Sequence, residues 1–400
     1  MLKFSKYIFL IALAVFVGCK SETKKITTQN MAEPISVQNQ AKIDSMDILV
    51  QGLIDGKKSA GAALGIQIGN SQPIIRTYGY ANISEERQVK ANDQFRIASI
   101  TKPFTATAII QLIEEGKLSF DDKIDRFFPN FPRGGELTIY QLLSHTSGIR
   151  NWYDIKMPDP TPDNFPMCAE PHKYIEKMEK IFLFEPGQYH SYSNTGYVLL
   201  GEIIEKVSGL TYEAFLKKKI FIPSGMVDTE METIENISDQ WTNGYGYNDS
   251  LSNPFIEPET YPMPYAEGGL RSTADDLLKF IRVFNNDKLV SDEYRNQMTS
   301  YAKVKDGSDV ALDNFYFPSN AVPPELPKYV QKYGYGLGFS RADIYNSIYI
   351  WHGGSIAGFL SVLIYLPKSE TTLVLLTNTG DPGGYPTIME DVQRIVTEIE

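Results

Sequence analysis

Apolar residues recur at helical spacing from Ser36 to about Gly56, where Ile43, Met46, Leu49, Val50 and Leu53 share a face, and this predicts a first amphipathic helix. The period then changes. Ala62 to Gly69 and Ile74 to Ala81 are short β-prone runs split by Asn70, Ser71, Gln72 and Pro73, which predicts an antiparallel hairpin. From Ser99 to about Glu115 the chain is apolar on most faces, with Phe104, Ile109, Ile110, Leu112 and Ile113, and Gly116 follows as a stop signal. That pattern predicts a helix buried in the middle of the protein. Between about 118 and 286, helical patterns and long loops dominate, including Tyr197 to Ser208, Tyr212 to Lys219 and a capping-box-like Thr273 to Asp276 that opens Leu277 to Phe284. Three β-prone runs follow, Ile344 to Trp351, Phe359 to Tyr365 and Thr372 to Thr377, and then a predicted helix from about Pro386 to Ile399. Strands at both ends with helices between them predict one sheet assembled from the two termini.

The N-terminal stretch has a different logic. Lys3 and Lys6 precede an apolar run from Tyr7 to Val17 that ends in Gly18 and Cys19, which predicts a signal peptide over 1–18. The run is too short to cross a bilayer as a stable helix. Its small residue before a cysteine resembles a bacterial lipobox, with Cys19 as the lipidated first residue of the mature chain, although Phe16 stands where Leu is usual. Residues 19–35 are then a polar, lipid-anchored tether, and 36–400 form the folded domain. The expected location is outside the cytoplasm, on a bacterial membrane, facing periplasm or cell surface. With Cys19 lipidated, only Cys168 remains, so the chain has no intrachain disulfide and relies on its core.

Composition narrows the partners. A hydrophobic fraction of 42% against 22% charged supports a large core and argues against general disorder. The net charge of -11, without any basic run, argues against a nucleic-acid partner. His145, His172, His190 and His352 are the only histidines, and none is spaced as a metal ligand, so neither a metal nor another cofactor is expected. Asp121, Asp122, Asp275 and Asp276 read as exposed helix-start or loop charges, not as a paired acid and base.

Three short motifs carry chemistry. Ser99 and Lys102 are three residues apart at the start of the buried helix, so both side chains fall on one face, and a buried amine can lose enough basicity to accept the serine proton. In Tyr192-Ser193-Asn194, the phenol can exchange protons with the amine and the Asn194 amide can orient a substrate carbonyl. His352, Gly353, Gly354 and Ser355 end a predicted strand, where two glycines admit a ligand backbone as an extra strand and the Ser355 N–H can meet an oxyanion. Ser147 lacks the Gly-x-Ser-x-Gly setting of a nucleophile elbow and reads as structural.

Taken in order, SITK at 99–102, YSN at 192–194 and HGG at 352–354 resemble the serine β-lactamase and penicillin-binding-protein superfamily, in its class C-like branch of DD-peptidases and esterases. The flanking FRIASITKPFTA, LLSHTSGI, FEPG, EGGLRSTADDLLKF and WHGGSIAGF strengthen the likeness, which runs from about Ile43 to the end of the chain. The resemblance implies an α/β (α+β) fold, with an antiparallel sheet flanked by helices plus an all-α region and a groove between them. It also implies a Ser99 acyl-enzyme, with Lys102 and Tyr192 as proton carriers whose division of labour stays open. Implied substrates are D-alanyl-D-alanine-type peptides or small esters; the alternatives are a β-lactamase and a non-catalytic lipoprotein that keeps the fold. His352 departs from the usual Lys of the third motif, and a neutral imidazole predicts weaker recognition of anionic substrates.

Overall fold

The computed structural model describes residues 36–152, 172, 175–176, 180–233, 237–247, 251–254, 264–317, 325–326 and 328–380. The expected signal peptide and tether with Cys19, the stretch around Cys168 and the expected helix at 386–399 lie outside the described residues.

Helix α1 spans Val37–Asp55, with Ser36 as its N-cap accepting from the Asn39 N–H at 3.2 Å. It is followed by β1 (Gly61–Ile68), β2 (Ile74–Asn82) and β3 (Arg87–Gln88). The chain then makes α2 (Thr101–Glu114), α3 (Ile139–Leu143), α4 (Asn194–Ser208), α5 (Tyr212–Leu216) and α6 (Ala274–Phe284). It ends in β4 (Val330–Tyr335), β5 (Ser340–Ile344), β6 (Ser347–Ile356), β7 (Phe359–Leu366) and β8 (Thr371–Thr377). These strands form one antiparallel sheet in the order β3-β2-β1-β8-β7-β6-β5-β4, so strands from both ends of the chain meet where β1 pairs with β8.

The C-terminal strands differ in part from the sequence expectation. Ile344 ends β5 and does not begin β6, because Tyr345 and Asn346 both take positive φ, 46° and 64°, and turn the chain between them. The β4 strand, VQKYGY, lacks a clean alternation of apolar and polar residues and was not anticipated.

Alternation in β8 shows how the layers are made. Leu373 and Leu375 pack with Ile43, Met46 and Val50 of α1 on one face, while Val374 and Leu376 join the larger core on the other. Helix α6 lies directly on that inner face, where a Cβ at Gly65 of β1 would sit 3.1 Å from the Ala274 Cβ. Helix α2 is central to this core: every residue from Thr101 to Ile113 is buried. Its polar side chains bond both within the helix and to other segments: the Thr107 hydroxyl donates to the Pro103 carbonyl at 2.8 Å, and the Thr105 hydroxyl to the Ala266 carbonyl at 2.6 Å. Phe104 of α2 stacks on Phe280 of α6 with ring centres 4.0 Å apart. Asp276, expected to be exposed, is instead buried at the start of α6, where it accepts from the Asp228 N–H at 2.8 Å and the Thr229 hydroxyl at 2.9 Å.

A buried charge cluster ties the approaches to the groove together. Residues Phe95–Arg96 and Glu230–Met231 flank Leu270–Ser272 in a small three-stranded sheet. Glu232, next along the chain, takes a forked pair of bonds from Arg96 at 2.6 and 2.8 Å and a second pair from Arg271 at 2.8 and 3.4 Å. Burial pushes the Glu232 carboxyl up, but Arg271 and Arg96 outweigh it and hold the group below its usual range. Replacing Glu232 with alanine leaves two largely buried guanidinium groups without their carboxylate. Urea unfolding of Glu232→Ala is expected to show a loss of roughly 3–5 kcal/mol, whereas a loss below about 1 kcal/mol would mean that the cluster behaves like a surface pair.

Candidate active site

Ser99 does not open α2 itself. It sits in a short 3-10 turn, Ala98–Ile100, immediately before the helix, and Ala98 adopts φ 45°. A non-glycine residue in the left-handed region costs about 1–2 kcal/mol, so the turn needs support from outside. Ile97 supplies it. Its N–H donates to the Leu270 carbonyl at 3.0 Å, and its carbonyl accepts the Ser361 hydroxyl of β7 at 2.9 Å.

Lys102, one turn beyond Ser99, has a relative exposure of 0%. Its Nζ lies 3.1 Å from Ser99 Oγ, 2.6 Å from Asn194 Oδ1 and 2.7 Å from the Glu267 carbonyl oxygen. The last two are obligate acceptors, so they occupy two N–H groups and leave the third direction of the nitrogen toward Ser99. Burial pulls the Lys102 amine well below its ordinary range, opposed by the charge of Glu267. Burial pushes the Glu267 carboxyl up in turn.

Tyr192 lies on the other side of the amine, with Lys102 Nζ 4.8 Å from its ring centre. The loop that carries it is fastened by His145. The His145 Nδ1 accepts the Ser193 N–H at 3.1 Å, its carbonyl accepts the Ser191 N–H at 2.9 Å, and its ring centre is 4.4 Å from that of Tyr192. Asn194 begins α4, and its backbone and side-chain N–H groups both donate to Asn151 Oδ1, at 3.4 and 3.3 Å. Ser147, beside His145, is buried and accepts the Ile149 N–H, a structural use.

The third motif lies on β6. On one side this strand pairs with β7 as far as Ile356, but on the other β5 stops at Ser340 opposite Trp351, leaving His352–Ile356 outside that ladder. Gly354 is required where the strand passes the serine turn: a Cβ there would lie 2.1 Å from the Ile97 carbonyl. Ser355 is exposed at the groove. The His352 ring, by contrast, is 3% exposed and turned inward. Its Nδ1 lies 2.7 Å from the Gly353 carbonyl, which fixes the proton on that nitrogen and leaves Nε2 to accept from the Tyr335 hydroxyl at 3.0 Å. Burial, helped by Lys102, pulls the imidazole down to about 3, so it is neutral.

These elements enclose a groove of about 330 Å³ lined by Ser99, Asn151, Asn194, Glu267 and Ser355 among others. Its described lining contains no arginine or lysine. No group of three or more His, Cys, Asp or Glu side chains suited to a metal occurs among the described residues. Sequence reasoning missed Glu267, Asn151, and the anchoring by His145 and Tyr335. Glu267 left one trace, a carboxylate set directly before two glycines in an otherwise small and apolar run.

An eight-stranded antiparallel sheet with helices is the fold of serine β-lactamases and penicillin-binding proteins. Residues 46–398 match the family model described as Beta-lactamase, and the chain belongs to that family. A penicillin-binding protein of Bacillus subtilis (strain 168) is 30% identical over 331 residues, covering 77% of this chain and 66% of that protein. The chain therefore spans about two thirds of that relative's length. Among solved structures, the octameric penicillin-binding protein homologue from Pyrococcus abyssi aligns with a TM-score of 0.70 at 28% identity, covering 89% of this chain and 77% of that one. The D-amino acid amidase from Ochrobactrum anthropi SV3, at 24% identity and a TM-score of 0.71, covers 89% of this chain and 99% of its own and shares the fold.

The position of Gly354 generates a sharp test. Gly354→Ala must displace either β6 or the serine turn, and a shift of about 1 Å in such a site costs about a hundredfold in rate. The expected result is a fluorophosphonate-labelling rate lowered by about that factor with the far-UV circular dichroism spectrum retained; unchanged labelling would show that the close approach is not needed.

Proposed function

We propose that this protein is a serine hydrolase that cleaves amides or esters through an acyl-enzyme on Ser99. The observation that carries the reading is the setting of the Lys102 amine: buried, bonded to two obligate acceptors and 3.1 Å from the Ser99 hydroxyl. In that setting a neutral amine directs its lone pair at the serine O–H. Ser99 Oγ attacks the carbonyl carbon as its proton passes to Lys102, with Tyr192 beside the amine. The backbone N–H groups of Ser99 and Ser355 hold the resulting oxyanion. The leaving group departs with a proton delivered through Tyr192, and water then releases the acyl group by the same steps in reverse.

Substrate class follows from charge. The described groove lining offers no fixed cation to a substrate carboxylate, and His352 is neutral and turned inward. This favours small esters and uncharged amides, including D-aminoacyl amides, over β-lactams, whose carboxylate needs a counter-charge.

Two measurements test the reading. Intact mass after fluorophosphonate treatment is expected to show one covalent adduct on the wild type and none on Ser99→Ala; an adduct that persists in Ser99→Ala moves the nucleophile elsewhere, and an unlabelled wild type supports the non-catalytic alternative. In a panel of acyl ester, D-aminoacyl amide, D-Ala-D-Ala peptide and cephalosporin, kcat/KM is expected to be at least about tenfold higher for the ester or the amide than for the cephalosporin, the scale of about 1.4 kcal/mol of lost ionic recognition. The reverse order contradicts the substrate class.

A further inference from the structure

From the sequence, Asn194 is the amide expected to meet a substrate carbonyl, but the structure commits much of it elsewhere. Its Oδ1 accepts from Lys102 Nζ at 2.6 Å, and its Nδ2 donates to Asn151 Oδ1 at 3.3 Å. The same Asn151 oxygen receives the Asn194 backbone N–H at 3.4 Å. A backbone N–H can only donate, so the Asn151 atom that meets α4 must be its oxygen. The NH2 group of Asn151 is therefore directed away from Asn194, and no hydrogen bond from it occurs among the described residues.

Asn151 is also held in place on both sides. Trp152 donates its N–H to Thr195 Oγ1 at 2.9 Å, that hydroxyl donates to the Arg150 carbonyl at 2.8 Å, and the Arg150 N–H donates to the Ile181 carbonyl at 2.7 Å. Thr195 is buried in the first turn of α4, so the helix that carries Asn194 fixes Asn151 as well. The result is a neutral donor group without a protein acceptor, preorganised beside the nucleophile in a groove lined by Ser99, Asn151, Asn194, Ser355 and Ile356 among others. Donor hydrogens repel an ammonium and lack the charge to hold a carboxylate; a carbonyl oxygen suits them.

The direction of that carbonyl follows from strand geometry. A ligand backbone lying along the unpaired part of β6 directs its scissile carbonyl at the Ser355 N–H. Successive carbonyls of an extended chain point to opposite sides. The carbonyl before the scissile one, which stays with the acyl group, then points away from β6, toward the part of the groove lined by Asn151.

We propose that Asn151 is a substrate-binding residue whose NH2 group donates to this preceding carbonyl, so that the preferred acyl group is an N-acylated amino acid. Plain alkanoyl groups lack the acceptor, and amino acids with a free amino group present an ammonium near it. The inference rests on the acyl-enzyme reading above and narrows its substrate class.

The test is a pair of p-nitrophenyl esters given to the full chain and to two variants. The N-acetyl-D-alanine ester carries the preceding carbonyl, and the 2-methylpentanoyl ester of matching configuration has the same skeleton with the amide replaced by methylenes. Asn151→Asp keeps the oxygen that receives both Asn194 donors and removes the NH2 group; Asn151→Ala removes both. In each variant kcat/KM for the N-acetyl ester is expected to fall about tenfold further than for the methylene ester, the scale of one hydrogen bond. Damage to Lys102 or Asn194 slows both esters alike and does not move their ratio. If Asn151→Ala does not fold, Asn151→Asp decides alone. A ratio that keeps its wild-type value in the folded variants, whatever the absolute rates, overturns the proposal and leaves Asn151 a structural partner of Asn194. A wild type that hydrolyses neither ester and takes no fluorophosphonate adduct overturns the hydrolase reading itself, a result distinct from an unchanged ratio.

Discussion

An amine with no access to solvent must either keep its charge by capturing acceptors or give up the charge, and Lys102 is built to sit between these outcomes. Asn194 and Glu267 offer two acceptors, enough for a neutral amine but one short of an ammonium unless Ser99 also accepts. The desolvation that makes a buried lysine costly also makes it a usable base. Nearly every feature of the groove serves to hold this arrangement in place.

The support comes from segments far apart in sequence. Ala98 holds a backbone conformation that alanine disfavours, and the Ile97 bonds to Leu270 and Ser361 keep it there. Glu232 clamps Arg96, just before the serine turn, to Arg271, just after the Glu267 loop, so the nucleophile and the amine's acceptor are fixed relative to one another. His145 does the same for Tyr192, through a backbone bond, a ring nitrogen and ring packing. The neutral His352 is part of this frame: bonded to Tyr335, it adds no second positive charge near Lys102.

Much of this was legible in the residues. Helix α1, the β1–β2 hairpin, α2 and strands β7 and β8 follow from apolar periodicity, because each buries one face or all of them. The meeting of Ser99 and Lys102 followed from their spacing, and that of Asn194 with them was implied by the family resemblance. What was hidden depends on contacts between distant segments. Nothing in Ala98 announces a positive φ, and nothing in Tyr345 announces the turn that separates β5 from β6. The inward turn of His352 is set by Tyr335 on β4, a strand whose sequence has no clear period. Asp276 reads as a surface charge until Asp228 and Thr229 are brought to it. The role of Glu267 stays hidden for the same reason, since only the fold places it against Lys102.

The most direct measurement is an NMR titration of the Lys102 side chain in protein carrying 13C and 15N lysine, assigned by loss of the signal in Lys102→Met. The account predicts a resonance that titrates far below the ordinary lysine value of about 10.4 and reports an uncharged amine across the range where labelling is fast. A Lys102 signal that stays that of an ammonium up to about pH 10 while Ser99 still reacts at neutral pH would contradict it.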